Sequence, residues 1–297
     1  MYGAPLCSGG FITGSAEVVP DRAHGADCTG DRADACVAAD PTRRRGTVIV
    51  FGICAGPGDR LERVSLPGIE RARDADSEVI VLRGQSSIGS AYNTILDRAA
   101  AGSHVEAVVF LHDDLRIVDP DACSAVRSAV AEPDVAIVGV IGGRSPTEMS
   151  WASGPAVGTL VEVSQDGEVS HEIHGDPRTG THDADTVDGV FMVFSPWAIA
   201  HLRFDTRRFP GFDGYDADVC AEARSQGKRV LTAPITVEHV CLDPAGAYAL
   251  RSTNRQAALA WRAKWRTDQP RWRRAWWGLR SRFLRLEFRL RRMEWGS

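Results

Sequence analysis

The chain has 297 residues, 43% of them apolar, and a net charge of −4, which is enough to bury one large core and, with strand-like and helix-like segments alternating, predicts an α/β protein. The charge is uneven: from Arg255 onward thirteen Lys and Arg stand against three Asp and Glu, so the residues before them carry −14. A nucleic-acid enzyme usually carries its positive charge on the folded domain, so nucleic acid is not an expected partner.

Residues 1–46 are rich in Gly, Ala, Asp and Arg without sustained periodicity and read as a disordered extension. Thr47–Cys54 (TVIVFGIC) reads as a buried strand. It ends in Cys54-Ala-Gly-Pro-Gly58, where small residues such as Cys54 and Ala55 let a nucleotide approach the backbone. This is not a G-x-G-x-x-G fingerprint, and no G-x-x-x-x-G-K-[ST] occurs, which counts against NAD-dependent and P-loop chemistry. Asp59–Arg73 is helix-like, with Asp59 a possible N-cap, and Ser77–Gly84 reads as a second strand. A helix is predicted from about Ile88 to Ala101 with Ser86 or Ser87 as N-cap. The strand VEAVVFLHDD, a helix after Pro120 and the strand DVAIVGVIGG continue a parallel βαβ series.

Between Gly142 and Asp185 the period is lost, predicting a polar loop that closes over substrate. His174, His182, Asp183 and Asp185 lie in it but lack the i, i+4 spacing of a helical metal site. A strand, an aromatic and glycine-rich loop, a helix from about Tyr215 to Gln226 and a strand ending on His239 then follow. The seven cysteines (7, 28, 36, 54, 123, 220 and 241) form no C-x-x-C pair, which suits reduced, buried thiols in the cytosol. No signal-peptide pattern and no run of eighteen apolar residues is present, so a cytoplasmic enzyme is expected. After Pro270 apolar residues recur at 272, 276, 279, 283, 286, 290 and 293. Within the basic tail, 255–297, this predicts an amphipathic helix with Trp/Phe/Leu on one face and arginine on the other. Such a helix suits an anionic membrane interface on the cytoplasmic side, or alternatively docking on the domain or pairing with a second copy as a homodimer.

The most informative segment is Val105–Ile117, VEAVVFLHDDLRI, in which an apolar strand runs directly into His112, Asp113 and Asp114. Adjacent carboxylates at the carboxyl end of a buried strand are costly unless compensated, and a divalent cation carrying phosphate is a common compensation; capping of the next element is the plainer reading.

Taken in order, HDD after a strand, VDG before an apolar strand (Asp188, Gly189), GYDADVC opening a helix and the terminal EHV resemble glycosyltransferase family 2 over roughly Thr47 to Val240. The resemblance is to the branch in which Asp-x-Asp begins with histidine (His112) and Glu-Asp begins with tyrosine (Tyr215). It implies a GT-A fold over 47–254, Rossmann-like, with a mostly parallel central sheet flanked by helices, and a nucleotide-sugar donor. It also implies inversion at the anomeric carbon and a carbohydrate or lipid-linked cell-envelope acceptor. By that resemblance Asp114 and His239 hold Mg²⁺ or Mn²⁺, His112 and Asp113 lie near the ribose or sugar, and Asn93 helps shape the nucleotide pocket. Cys54 and Ala55 lie along the donor base with Asp59 and Arg60 as candidate contacts, Asp188 and Gly189 form the cleft floor, and Asp216 is the base, with Asp218 its rival. Two other readings remain open at this point: a non-catalytic nucleotide-sugar or glycan-binding member of the fold, and a metal-dependent phosphohydrolase.

Overall fold

A computed structural model describes residues 16–18, 48–102, 104–146, 148–164, 172–175, 180–241 and 252–265. Most of the expected N-terminal extension, and the amphipathic helix expected after Pro270, lie outside the described residues. In chain order the elements begin with β1 (Ala16–Val18), which lies inside that expected extension, and β2 (Val48–Ala55). A π-turn (Leu61–Ser65) then runs into α1 (Leu66–Ala72). Next come β3 (Glu78–Arg83), α2 (Ile88–Ala101), β4 (Val105–Leu111), β5 (Leu115–Ile117) and α3 (Ala122–Val130). They are followed by β6 (Val135–Gly139), β7 (Ile141–Gly143), β8 (Ala156–Ser164), β9 (Glu172–Gly175), β10 (His182–Ala184) and β11 (Thr186–Val187). The last are β12 (Phe191–Phe194), α4 (Pro196–His201), α5 (Tyr215–Ser225), β13 (Arg229–Thr232), β14 (Val237–Cys241) and α6 (Ser252–Trp265).

The main sheet has the order β1-β3-β2-β4-β12-β6-β13-β10. Strands β3, β2, β4, β6 and β13 share one direction, while β12 runs antiparallel between β4 and β6, and β1 and β10 close the edges antiparallel. The reversal at β12 follows from its entry point, because the chain comes back from the excursion after β6 at the carboxyl end of the sheet. The central strands are buried on both faces, as parallel strands covered by other layers must be. Along β2, Ile49, Phe51 and Ile53 face a core shared with α1 and α3, whereas Val50 faces the layer of α2, α4 and α5.

A second sheet, β11-β7-β8-β14-β5 with β9 added on β8, draws β8 and β9 from the region expected to be a loop. Its strands are short or interrupted, and β8 carries Gly158 at φ +78°, which breaks the alternation that would have announced it. The layer positions the site: β4 ends at Leu111, and β5, beginning at Leu115, passes into the second sheet. His112, Asp113 and Asp114 therefore form the corner between the two sheets.

Helix α5 begins at Gly214 with φ +81°, where an added Cβ would lie 2.5 Å from Met149 Sδ, so a larger residue fits neither the backbone nor the space. Asp218 in its first turn is 2% exposed. It accepts from Lys264 Nζ at 3.0 Å and from Trp265 Nε1 at 2.7 Å, fastening α6 over Phe209 and Ala217. Asp218→Ala is expected to lower stability by roughly 1–3 kcal/mol, the cost of leaving a buried donor unpaired, as read by urea denaturation. A loss no larger than that of an exposed control substitution would show that α6 does not depend on this anchor.

Candidate functional site

The site forms where the carboxyl ends of β2 and β4, the β11–β12 junction, the start of α5 and β14 meet. At the first of these, Gly56 N–H donates to Asp113 Oδ2 at 2.7 Å, so the loop after Cys54 and Ala55 lies against the carboxylate corner. Arg60 spans both acids, with Nε 3.6 Å from Asp113 Oδ1 and Nη1 3.4 Å from Asp114 Oδ2. Ala55 is buried in the core, and burial, followed by the charge of Asp113, pushes the Cys54 thiol up to about 11, which keeps it protonated. Of the two candidates for the donor base, Asp59 has its carboxylate in solvent 3.6 Å from Arg63, and Arg60 faces the carboxylate corner.

Asp114 and His239 approach because β14 pairs antiparallel with β5, His239 opposite Leu115, and Val240 N–H donates to the Asp114 carbonyl at 2.9 Å. His239 Nε2 is 3.5 Å from Asp114 Oδ1 and its Nδ1 is 3.6 Å from Glu162 Oε1. Burial raises Asp114, but His239, His112 and Arg60 outweigh it and hold the carboxyl at about 2. Burial lowers His239, but Asp114 and Glu162 outweigh it and bring the imidazole to about 10.

His112 Nε2 is 2.8 Å from Tyr215 Oη. That hydroxyl is fixed from behind by an aromatic cluster in which Tyr92 stacks on Phe110 at 4.2 Å and meets the Tyr215 ring edge-on at 5.9 Å. Burial lowers the His112 pKa, which leaves it neutral at pH 7 and able to offer a ring lone pair.

Among the described residues, one group of side chains has donor atoms close enough to share a metal ion. His112, Asp114 and His239 each bring one ligand atom, all within 4.8 Å of one another. Asp114 Oδ1 and His239 Nδ1 are buried without a hydrogen-bond partner, and the 3.5 Å between Asp114 Oδ1 and His239 Nε2 is too long for a hydrogen bond but lets both reach one ion. Two imidazoles and a carboxylate suit Mn²⁺ better than Mg²⁺, which favours oxygen donors. The two carboxylates of the other cluster considered from sequence are engaged elsewhere: Asp183 pairs with Arg229 at 2.9 Å and Asp185 with Arg224 at 2.6 Å. His174 lies on β9, and its side chain is outside the described residues.

Asp188 and Gly189 follow β11. Asp188 Oδ1 accepts from Val190 N–H at 3.0 Å, and Oδ2 accepts from the Trp151 indole N–H. Asp216 Oδ2 accepts from Gly189 N–H at 3.2 Å and Oδ1 from Ala217 N–H at 2.8 Å. Burial and then the nearby Asp188 charge push Asp216 up to about 7, against the opposing pull of those two N–H groups. Gly189 permits this arrangement because a Cβ there would overlap the Tyr215 hydroxyl.

Asn93 is engaged with the segment after α4. Its amide bonds both sides of the Phe204 backbone, donating to the carbonyl at 2.9 Å and accepting from the N–H at 2.8 Å. It ties the segment after α4 to α2. Of the other expected residues, His112, Asp113, Asp114, Asp188, Gly189, Asp216 and His239 come together, and Glu162, Trp151 and the Gly56 N–H join them. Trp151 was visible only as one residue of the expected loop, and nothing in the sequence marked Glu162.

The family profile described as a glycosyltransferase-like family matches residues 63–260. The streptomycin biosynthesis protein StrF of Streptomyces griseus is 30% identical over 234 residues, covering 78% of this chain and 76% of StrF. Solved structures that are similar include the mannosyltransferase PcManGT from Pyrobaculum calidifontis, in complex with GDP-Man and Mn²⁺. It is 18% identical with a TM-score of 0.49, over 80% of this chain and 69% of that one. GalNAc-T7 with UDP, GalNAc and Mn²⁺ is 9% identical with a TM-score of 0.49, over 72% of this chain and 47% of that one. With a profile match over more than half its length and a relative that it spans for most of theirs, the chain belongs to the glycosyltransferase-like family and is an enzyme of that class.

Proposed function

We propose that this enzyme transfers a sugar from a nucleotide-sugar donor to a hydroxyl of a carbohydrate or lipid-linked cell-envelope acceptor, with inversion. The observation that carries this reading is the division of the site. A carboxylate brought to about 7 lies on one side, at the start of α5, and a His-Asp-His group lies on the other. Tyr215 joins them, adjacent in sequence to Asp216 and bonded to His112. In the proposed reaction Asp216 accepts the proton of the acceptor hydroxyl as that oxygen bonds to the anomeric carbon, and the bond from that carbon to the diphosphate breaks on the opposite face. The Gly189 and Ala217 N–H groups orient the carboxylate. His112, Asp114 and His239 would hold Mn²⁺ or Mg²⁺, which when bound supplies positive charge to the departing diphosphate. The Cys54–Arg60 loop would lie along the nucleoside, and Asp188, held by Trp151, would meet the donor hydroxyls.

In this reading α6 belongs to the catalytic unit, since it is fastened beside the first turn of α5. No described helix is long and apolar enough to cross a membrane. The Trp- and Arg-rich sequence of 271–297 supports a membrane-proximal acceptor on the cytoplasmic side. Deleting it is expected to abolish liposome co-sedimentation, and unchanged binding would remove that part of the proposal.

The donor class is tested by thermal melting with UDP-, GDP- and dTDP-sugars, with and without Mn²⁺. One nucleotide class is expected to give a metal-dependent rise, because a ligand that binds only the folded state stabilises it; no rise with any of them would overturn the reading. Gly189→Ala is expected to cut transfer roughly 10²-fold, by driving Tyr215 off His112 and removing the Asp216 orientation together. Retained activity with an intact Tyr215 would show that the close approach is not needed.

A further inference from the structure

Strand β8, hidden in the sequence, carries a carboxylate that the proposed reaction has not used. Glu162 is the register partner of His239 in the parallel β8–β14 ladder, and side chains at paired positions leave a sheet on the same face. Its Oε1 lies 3.6 Å from His239 Nδ1, while Nε2 of the same ring faces Asp114 Oδ1 at 3.5 Å. The imidazole is therefore held end to end between two carboxylates, all three side chains being less than one-fifth exposed.

The two carboxylates are not equivalent. Asp114 belongs to the group whose donor atoms converge on one point, and Glu162 does not. Glu238, which precedes His239 on β14, faces the other side of the sheet and is paired with Arg116 at 2.9 Å, so the two acids on this ladder serve different faces. A metal-binding histidine usually donates its second ring N–H to a carboxylate or carbonyl, which fixes the tautomer and aims the free nitrogen. The 3.6 Å separation exceeds hydrogen-bond length, as catalytic contacts often do before ligand is bound.

We propose that Glu162 is the positioning carboxylate of the metal site. It takes the Nδ1–H of His239 and thereby presents Nε2, unprotonated, to the divalent cation shared with Asp114. This rests on the reading of His112, Asp114 and His239 as the metal group, and it adds a residue on a different strand that touches neither cation nor substrate.

The test is Mn²⁺ titration of the full chain followed by electron paramagnetic resonance of the free ion, which reads binding without turnover. Melting without metal is measured alongside. Glu162→Ala is expected to weaken Mn²⁺ binding roughly ten- to a hundredfold and to lower the metal-free melting temperature less than Asp114→Ala does. Glu162→Gln, whose amide oxygen still accepts the Nδ1–H, is expected to recover most of that affinity. Unchanged affinity in Glu162→Ala, beside a loss in Asp114→Ala, overturns the role of Glu162 and leaves the metal site standing. Unchanged affinity in Asp114→Ala overturns the metal reading and this inference with it. Equal losses of metal-free stability in the Ala and Gln variants, with no rescue of affinity by Gln, mark Glu162 as structural and also overturn the proposal.

Discussion

Asp216→Asn is expected to reduce transfer by a factor of roughly 10²–10⁴ while leaving donor binding unchanged, since it removes the proton acceptor and keeps the size of the side chain. The pH dependence has a definite sign. Asp216 stands at about 7 because burial and the Asp188 charge disfavour its ionised form, and only that form can accept the acceptor proton. Transfer should therefore rise with pH through about 7 and level off above it. Stability runs the other way. The folded-state pKa is raised above its ordinary 3.8, so the contribution of Asp216 is fully present below about 4 and is lost as pH rises through about 7. Above that pH the ionised carboxylate costs the fold on the order of a few kcal/mol. The asparagine variant should consequently melt higher than the parent at pH 8, with the difference vanishing near pH 4. A variant that keeps its transfer rate would remove Asp216 from the base role. One that loses donor binding in parallel would move it to the donor pocket.

Much of this geometry was legible because local signals and tertiary context agreed. Ile88–Ala101 was readable as a helix from its period and its Ser87 cap, which accepts from Ser90 N–H at 3.3 Å. The His112–Asp114 corner was readable because a continuous apolar strand that stops on three polar residues must place them at its lip. Asp218 was a rival to Asp216 because both stand in one helical turn, and only packing distinguishes them: Asp218 faces α6, two positions from a carboxylate that faces the cleft. The partners of Asn93 were not legible. An asparagine on a helix beside a candidate cleft has many partners within reach, and here the Phe204 backbone takes both ends of its amide. The second sheet was least legible. Its order, β11-β7-β8-β14-β5, joins strands far apart in sequence, and no local pattern encodes a pairing such as Glu162 opposite His239. Reversal of β12 between two parallel partners was equally invisible, because a strand buried on both faces reads the same in either direction.

Asp114→Asn should abolish the stabilisation that Mn²⁺ gives the parent enzyme, which amounts to about 2.7 kcal/mol at one hundred times the dissociation constant. Asparagine keeps the volume and leaves the Val240 N–H bonded to the residue-114 carbonyl, so the β5–β14 junction survives the change. What it loses is the negative charge whose two oxygens face His239 and Arg60. The metal-free protein should register that loss too. The Asp114 pKa is depressed from 3.8 to about 2, so its contribution is present above about 3.8 and fades as pH falls through about 2. The His239 pKa is raised from 6.5 to about 10, so its contribution is present below about 6.5 and fades as pH rises through about 10. Both act fully only between about pH 4 and 6.5, and the metal-free destabilisation of Asp114→Asn should be largest in that window. His239→Ala should reproduce both effects. If either variant keeps the Mn²⁺-dependent rise in melting temperature, the cation binds elsewhere, and the carboxylate corner at the end of β4 is then a structural ion pair that Arg60 and His239 are sufficient to neutralise.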